Sequence, residues 1–369
     1  MAVGPVQSAE RLTVHGVRTR AVNVPMNFVL GTSAGAIRSA PLLLIDLETE
    51  EGVTGRAYVF GIYPGGPRVI GNVVEDAVAM IKGKPLAPAD LTKLLLRRFL
   101  LIGVTGVVRM ALSAIDSAMW NAAAIAVGKP LATLLGGSPK PIPAYNSNGL
   151  GLMGPQKTAD EALKLLESDL KAVKLRLGYP TLEEDLAVVR AVRRALPDAI
   201  TLMTDYNQAL DTPEAIRRGC AIENEGIYWI EEPIRHDDYR GNAAIADALD
   251  VHVQIGENFN GPQGMAQAIG AHACDLVMPD LARIGGVTGW MQAAALATAH
   301  DIPMSSHLYP EVSAHLMAVT PTAHWLEYVD WANAVLEEPP VVRDGSLIVA
   351  DRPGSGLTWD EKAVAKYAV

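Results

Sequence analysis

From about residue 142 to residue 340 the chain alternates short apolar runs with longer stretches whose apolar residues recur every three or four positions. PIPAYNSN, KAVKLRLG, AITLMT, GIYWI, VHVQIG, CDLVMP, IPMSS and AHWL have the length of strands. KTADEALKLLESDL, LEEDLAVVRAVRRAL, TPEAIRRGCAIENEG and VTGWMQAAALATAHD carry helical spacing between them. Strands that each need a crossover helix predict a parallel α/β barrel. Before residue 140 the pattern differs: RLTVHGVRTRAVNVP, APLLLIDLETE and GVTGRAYVF read as three strands, followed by helices over NVVEDAVAMIKG, PADLTKLLLRRFL and VVRMALSAIDSAMWNAAAIAVG. Strands first and helices afterwards predict a separate α+β domain. The expected division is therefore 1–140 for that domain, 141–340 for the barrel, and 341–369 for a tail that leaves the barrel rhythm.

The segment 27–40, NFVLGTSAGAIRSA, shows neither period and is rich in small residues. It reads as a loop. An ordinary hairpin connection competes with a lid, and lids are drawn from such segments because closure needs low local stability.

Candidate chemistry follows from the strand ends. Asp205, Glu231 and Glu257 come just after three successive apolar runs, 26 residues apart each time. One such acid ordinarily caps a helix, but three at one stride fall on adjacent strands at the same open end, where barrels build their sites. Hard divalent cations take oxygen ligands of this kind, Mg²⁺ in particular. Asp280, His307 and Glu327 extend the series. Asp280 and His307, on consecutive strands, are placed to hydrogen-bond, which would fix the imidazole tautomer and leave its outer nitrogen as a base. Lys174 and Arg176, two apart on one strand, share a face and would bring two cations beside the metal.

Length and composition fit. The chain has 369 residues, more than a minimal eight-fold barrel requires, and is 49% hydrophobic. A net charge of −10 and the lack of a basic stripe argue against nucleic acid. The two cysteines, Cys220 and Cys274, lack ligand spacing and read as small buried hydrophobes in a reducing compartment. No run reads as a membrane span or leader, so a cytoplasmic protein is expected.

The ordered set Lys174-Leu-Arg176, Asp205-Tyr-Asn207, Glu231-Glu-Pro, Gly256-Glu257-Asn, Pro279-Asp280, Ser-Ser-His307 and His-Trp-Leu-Glu327 resembles the mandelate racemase subgroup of the enolase superfamily. Ala-Val-Asn-Val-Pro near the start and Ile-Gly-Gly-Val-Thr-Gly-Trp in the barrel extend the likeness over nearly the whole chain. The resemblance implies a modified (β/α)7β barrel of the TIM type, an N-terminal α+β capping domain and a C-terminal segment returning to it. It also implies removal of the proton α to a carboxylate, with the enediolate held on one Mg²⁺ per subunit, Mn²⁺ being a possible substitute. By resemblance, Asp205, Glu231 and Glu257 are the metal ligands, with Glu232 behind them. His307 with Asp280 is an acid/base catalyst, Lys174 adds positive charge, and Asn207 and Ser147 bind substrate. Glu327 is expected to be a protonated acid, its pKa raised by Trp325 and Leu326. Homo-oligomers, octamer or dimer, are implied too.

One position departs from the pattern. Racemases of this subgroup carry a second lysine as base where this chain has Arg176, and a guanidinium holds no lone pair ready for a proton. One base suffices for dehydrating an acid sugar, a 2,3-dihydroxy acid, and that is the expected activity, with Arg176 clamping the distal part of the substrate. A 2-hydroxy acid racemase or epimerase is the alternative, and an inactive metal-binding homologue a second. Tyr58, Leu308 and Val329 resemble the apolar side of the family's pocket, whereas Arg38, Asn27 and Arg176 point to a polar substrate.

Overall fold

The computed structural model describes residues 12–369. Strands β1 (Val14–Thr32) and β2 (Gly35–Thr49) form an antiparallel ribbon, and β3 (Thr54–Phe60) pairs with β2. Helices α1 (Gly66–Ile81), α2 (Pro88–Arg98) and α3 (Gly106–Ala126) follow, then a single turn, α4 (Leu131–Leu134). Ala40–Leu47 of β2 is buried throughout. One reason is that α1 and α3 pack on this sheet; another is that Trp359 from the tail donates to the buried Asp46 at 2.8 Å.

The segment 27–40 differs from its sequence reading. It is mostly paired strand, and the ribbon runs to a turn at Ser33–Ala34. The period is hidden by a bulge: between the pairs Pro25–Ser39 and Leu30–Ile37, β1 has four residues opposite one on β2.

In the barrel, β4 (Pro141–Asn146), α5 (Pro155–Leu165), β5 (Ala172–Arg176), α6 (Leu182–Ala195), β6 (Thr201–Asp205), α7 (Thr212–Ile222), β7 (Ile227–Glu231), α8 (Tyr239–Ala248), β8 (His252–Ile255), α9 (Gly261–Gly270) and β9 (Leu276–Val277) alternate. After β9 come α10 (Leu281–Ile284), α11 (Gly286–Ala299), α12 (Pro310–Ala318) and β10 (Leu326–Tyr328). Strands β4 to β9 pair in parallel in chain order, and β10 pairs with β4. The bridges Val277–Met304 and Met304–Ala323 supply the remaining position and close the ring. Local signals start the crossovers: Thr181 and Glu184 form a capping box on α6, Asp211 caps α7, and proline opens α5, α7, α9 and α12.

The tail adds β11 (Val341–Arg343), β12 (Ser346–Ile348) and α13 (Glu361–Tyr367); β12 pairs antiparallel with β4. It then reaches the N-terminal sheet, where Glu361 pairs with Arg20 and Ala368 bridges Val22. The chain thus forms an N-terminal α+β domain and a (β/α)7β barrel. Cys220 is exposed near the end of α7, which corrects its reading as buried: α7 keeps Gly219 and Ile222 inward, and position 220 turns outward between them.

Candidate active site

Barrel strands fix the direction of the side chains at their carboxyl ends. Asp205 and Glu231 end β6 and β7, and Glu257 follows β8 by two residues. Oxygens from the three lie within 4.8 Å of one another. Lys174 Nζ donates to Glu231 Oε1 at 2.6 Å and pairs with Glu327 Oε1 at 2.9 Å and Asp205 Oδ2 at 3.4 Å. Below them Tyr145, Ala172, Met203, Trp229 and Leu276 form an apolar floor, from which the Trp229 indole donates to Glu231 Oε2 at 3.2 Å.

So much buried charge perturbs titration. Burial would lower Lys174, yet Glu231, Glu327 and Asp205 hold it well above its ordinary value. Burial pushes Glu231 up to about 8, with Lys174 opposing. Buried Glu232, beside Glu257, is also raised; it accepts two 3.0 Å hydrogen bonds from Asn258, whose own oxygen is held at 2.7 Å by Arg283. Three carboxylates with depleted solvation and mutual repulsion form an all-oxygen donor set that suits a hard divalent cation.

Opposite stands His307. Its Nδ1 lies 2.7 Å from Asp280 Oδ2, while Asp280 Oδ1 accepts from the backbone N–H groups of Ala282 and Arg283. That holds the carboxylate rigid and turns Nε2 toward Glu257 at 3.3 Å and Glu327 at 3.8 Å. Burial lowers His307, but Glu257, Glu327 and Asp280 together raise it to about 9. Several of these strand ends carry non-glycine residues in the left-handed region: Asn207 (φ 46°), Glu232 (φ 39°), Leu308 (φ 52°) and Tyr309 (φ 51°). Strain of this kind clusters where side chains must be aimed against backbone preference.

Arg176 is buried on β5 beside Lys174, donating to Ser147 Oγ at 2.9 Å and to the Gly149 carbonyl at 2.9 Å; its Nε has no partner. Asn207 donates through its backbone N–H and Nδ2 to both oxygens of Asp205 and leaves its own Oδ1 unpaired. A cavity of about 150 Å³ joins these groups, lined on its polar side by Lys174, Arg176, Asp205, Asn207, Glu257 and Glu327, with His307. Its apolar wall is Leu30, Phe60, Ile62, Leu308 and Trp331.

Five expectations need correction. Glu327 does not sit in an apolar setting: burial would raise it, but Lys174 and His307 reverse the effect and hold it below the usual carboxylate range, and it accepts from the Leu308 N–H at 2.8 Å. Tyr58 lies outside the cavity, its hydroxyl donating to buried Glu311 at 2.7 Å. Two residues deeper along β3 than the rim, it leaves the wall position to Phe60. Arg38 is exposed, because alternation turns it away from Ile37, whose cross-strand partner Leu30 is the cavity residue. Val329 is buried off the cavity, and Asn27 donates to Asp330 at 2.8 Å.

The sequence reading did not find Leu30, Phe60, Ile62, Trp331 or Arg283. Arg283 had a usable signal, since it follows Asp280 by three residues at a helix start and so shares its side.

Comparisons with known proteins agree with this architecture. Residues 14–136 match the mandelate racemase / muconate lactonizing enzyme N-terminal domain, and residues 157–363 match the enolase C-terminal domain-like family. L-talarate/galactarate dehydratase of Salmonella typhimurium is 33% identical over 326 residues, 87% of this chain and 81% of that protein. The crystal structure of an enolase from alpha pretobacterium bal199 with bound magnesium superposes with a TM-score of 0.95 at 45% identity, covering 97% of this chain and 100% of that one. An enolase from Bradyrhizobium, complexed with magnesium and mandelic acid, gives 0.93 at 43% identity, covering 97% and 99%. Matches over both domains, with a barrel-mouth site built from strand-end acids, establish that the chain belongs to the mandelate racemase / muconate lactonizing enzyme family of the enolase superfamily.

Proposed function

We propose that the protein is a Mg²⁺-dependent acid-sugar dehydratase that removes the proton α to a carboxylate through an enediolate. The observation that carries this reading is one cavity lined by a carboxylate-backed histidine and by Asp205 and Glu257, which with Glu231 form a trio of acids within 4.8 Å of one another. Asp205, Glu231 and Glu257 would hold the ion, which when bound offsets the charge that builds on the substrate carboxylate, an effect of several kcal/mol or more. Lys174 reinforces this from β5. His307 Nε2 takes the α-proton, while Asp280 keeps Nδ1–H engaged and the ring upright. The same imidazolium then gives its proton to the β-hydroxyl, which leaves as water, and the enol tautomerises to a 2-keto-3-deoxy acid. Arg176 orients the distal hydroxyls or carboxylate, consistent with its donors facing Ser147 and its unpaired Nε. The 33% identity to a talarate/galactarate dehydratase supports this reading.

A lid role is proposed for the ribbon tip, supported by Leu30 in the cavity wall and by the approach of Gly31 to Gly151. Among the described residues no helix is long and apolar enough to cross a membrane. The cytoplasm is proposed as the compartment because both cysteines are free.

A second reading, a racemase or epimerase of 2-hydroxy acids, is favoured by five apolar residues in the wall of a small cavity and by the Bradyrhizobium neighbour's mandelic acid ligand. Incubation with acid sugars and 2-hydroxy acids in D₂O with Mg²⁺ separates the two. Loss of water to a keto acid supports dehydration, deuterated antipode supports racemisation, and no exchange on any substrate rejects both.

A further inference from the structure

Backbone pairing joins the strand ends on each side of the site but not across the step between the two sides. On the acid side, Arg176 pairs with Asp205 and Asp205 with Glu231, across β5, β6 and β7. On the histidine side, Asp280 bridges His307. Between them the β8–β9 ladder stops at Ile255–Val277, short of both Glu257 and Asp280. Glu257 is accordingly the least anchored of the three acids. Its side chain is 14% exposed, against 1% for Asp205 and 0% for Glu231. Among the described residues, the only hydrogen bond to its backbone comes from a side chain: Arg283 Nη1 donates to the Glu257 carbonyl at 2.9 Å.

Arg283 spans the gap from both ends. Its own backbone N–H donates to Asp280 Oδ1 at 3.0 Å in the cap of α10. Its side chain runs back to the end of β8, where Nη1 also donates to Asn258 Oδ1 at 2.7 Å. Asn258 Nδ2 in turn donates to both oxygens of buried Glu232 at 3.0 Å and to Glu257 Oε1 at 3.2 Å. One residue thus holds the aspartate of the histidine pair by its main chain and the turn carrying Glu257 by its side chain. A guanidinium suits that task, because its donors lie in one rigid plane and its charge is permanent.

We propose that Arg283 is a positioning residue that fixes Glu257 relative to Asp205, Glu231 and the His307–Asp280 pair, and thereby sets the affinity of the site for a divalent cation. The proposal rests on the reading of the three acids as the cation site. Groups that hold a ligand from behind typically change metal affinity by roughly 10- to 100-fold. A role as a charge alone would act with the opposite sign. Arg283 Nη1 lies 3.7 Å from Glu257 Oε1, and a positive charge that close repels an arriving cation. Removing the charge would then tighten binding, whereas removing the anchor weakens it.

Titration with Mn²⁺, followed by the electron paramagnetic resonance signal of the free ion, tests this on the full chain. Arg283→Met should weaken Mn²⁺ binding by roughly 10- to 100-fold while the melting temperature moves by only about a few degrees. Arg283→Lys keeps the charge and can still reach one oxygen, so it should recover part of the loss. Thermal unfolding identifies a methionine variant that does not fold. Arg283→Lys then decides, weaker binding supporting the anchor and wild-type affinity overturning it. A folded Arg283→Met that binds Mn²⁺ as tightly as the wild type, or more tightly, overturns the proposal and leaves the cation reading of the acids standing. A wild type that binds no Mn²⁺ overturns that reading, and the proposal with it.

Discussion

Asp280 and His307 sit on adjacent barrel strands with Oδ2 and Nδ1 2.7 Å apart, and the other Asp280 oxygen is tied to two backbone N–H groups. The pair is therefore not free to rotate out of register. Asp280→Asn should leave the fold intact but remove the charge that supports the imidazolium, lowering kcat by about 10²- to 10⁴-fold with little change in KM. Steady-state kinetics checks this; an unchanged kcat would make His307 a bystander.

Arg176→Lys tests the substitution that sets this chain apart. A lysine cannot reproduce bidentate contact, so KM for the native acid should rise about tenfold. An amine beside a buried cation can deprotonate, so exchange should appear on the substrate face that the parent leaves silent. Deuterium incorporation into each C2 epimer separates the two effects. Loss of exchange that the parent already shows on that face would make Arg176 itself a base.

Gly151→Val probes the ribbon tip. A Cβ at residue 151 would meet the Gly31 oxygen at 2.7 Å and its Cα and N at 2.8 Å, all backbone atoms with little room to yield. The tip should lift, with KM rising several-fold and faster proteolysis at the Ser33–Ala34 turn, while the melting temperature changes by only a few degrees. Unchanged KM would leave the tip without a closing role.

Glu311 supplies a pH signature of stability away from the site. Burial pushes its carboxyl from 4.5 up to about 7, partly opposed by the Tyr58 hydroxyl. The folded state binds this proton more readily than the unfolded chain does. Its contribution is full below about 4.5 and is lost as pH rises through about 7, to the order of 3 kcal/mol. Urea unfolding at pH 5 and pH 8 should show this loss in the wild type and not in Glu311→Gln. Equal slopes in the two proteins would contradict it.

How much of this was legible in the sequence depends on what sets each residue's position. Asp205, Glu231 and Glu257 stand at the ends of strands repeated at one interval, so their common placement is written in the stride. Leu30, Phe60, Ile62 and Trp331 come from the ribbon, the end of β3, the loop after it and the segment after β10. Their arrival depends on how those parts dock, and periodicity does not encode that. The charge state of Glu327 was misread for a related reason: its sequence neighbours Trp325 and Leu326 are apolar, but its neighbours in space are Lys174 and His307. The ribbon was hidden by its bulge, which breaks the alternation that would have marked 27–40 as strand.

The most direct test of a metal-dependent, single-base mechanism is α-proton exchange in D₂O, followed by NMR on both C2 epimers of a turned-over acid. The wild type should exchange one epimer only, Glu231→Gln and thoroughly chelated protein should exchange neither, and His307→Asn should lose the signal by about 10²-fold or more. Full-rate exchange without a divalent ion, or equal exchange of both epimers, would contradict the account.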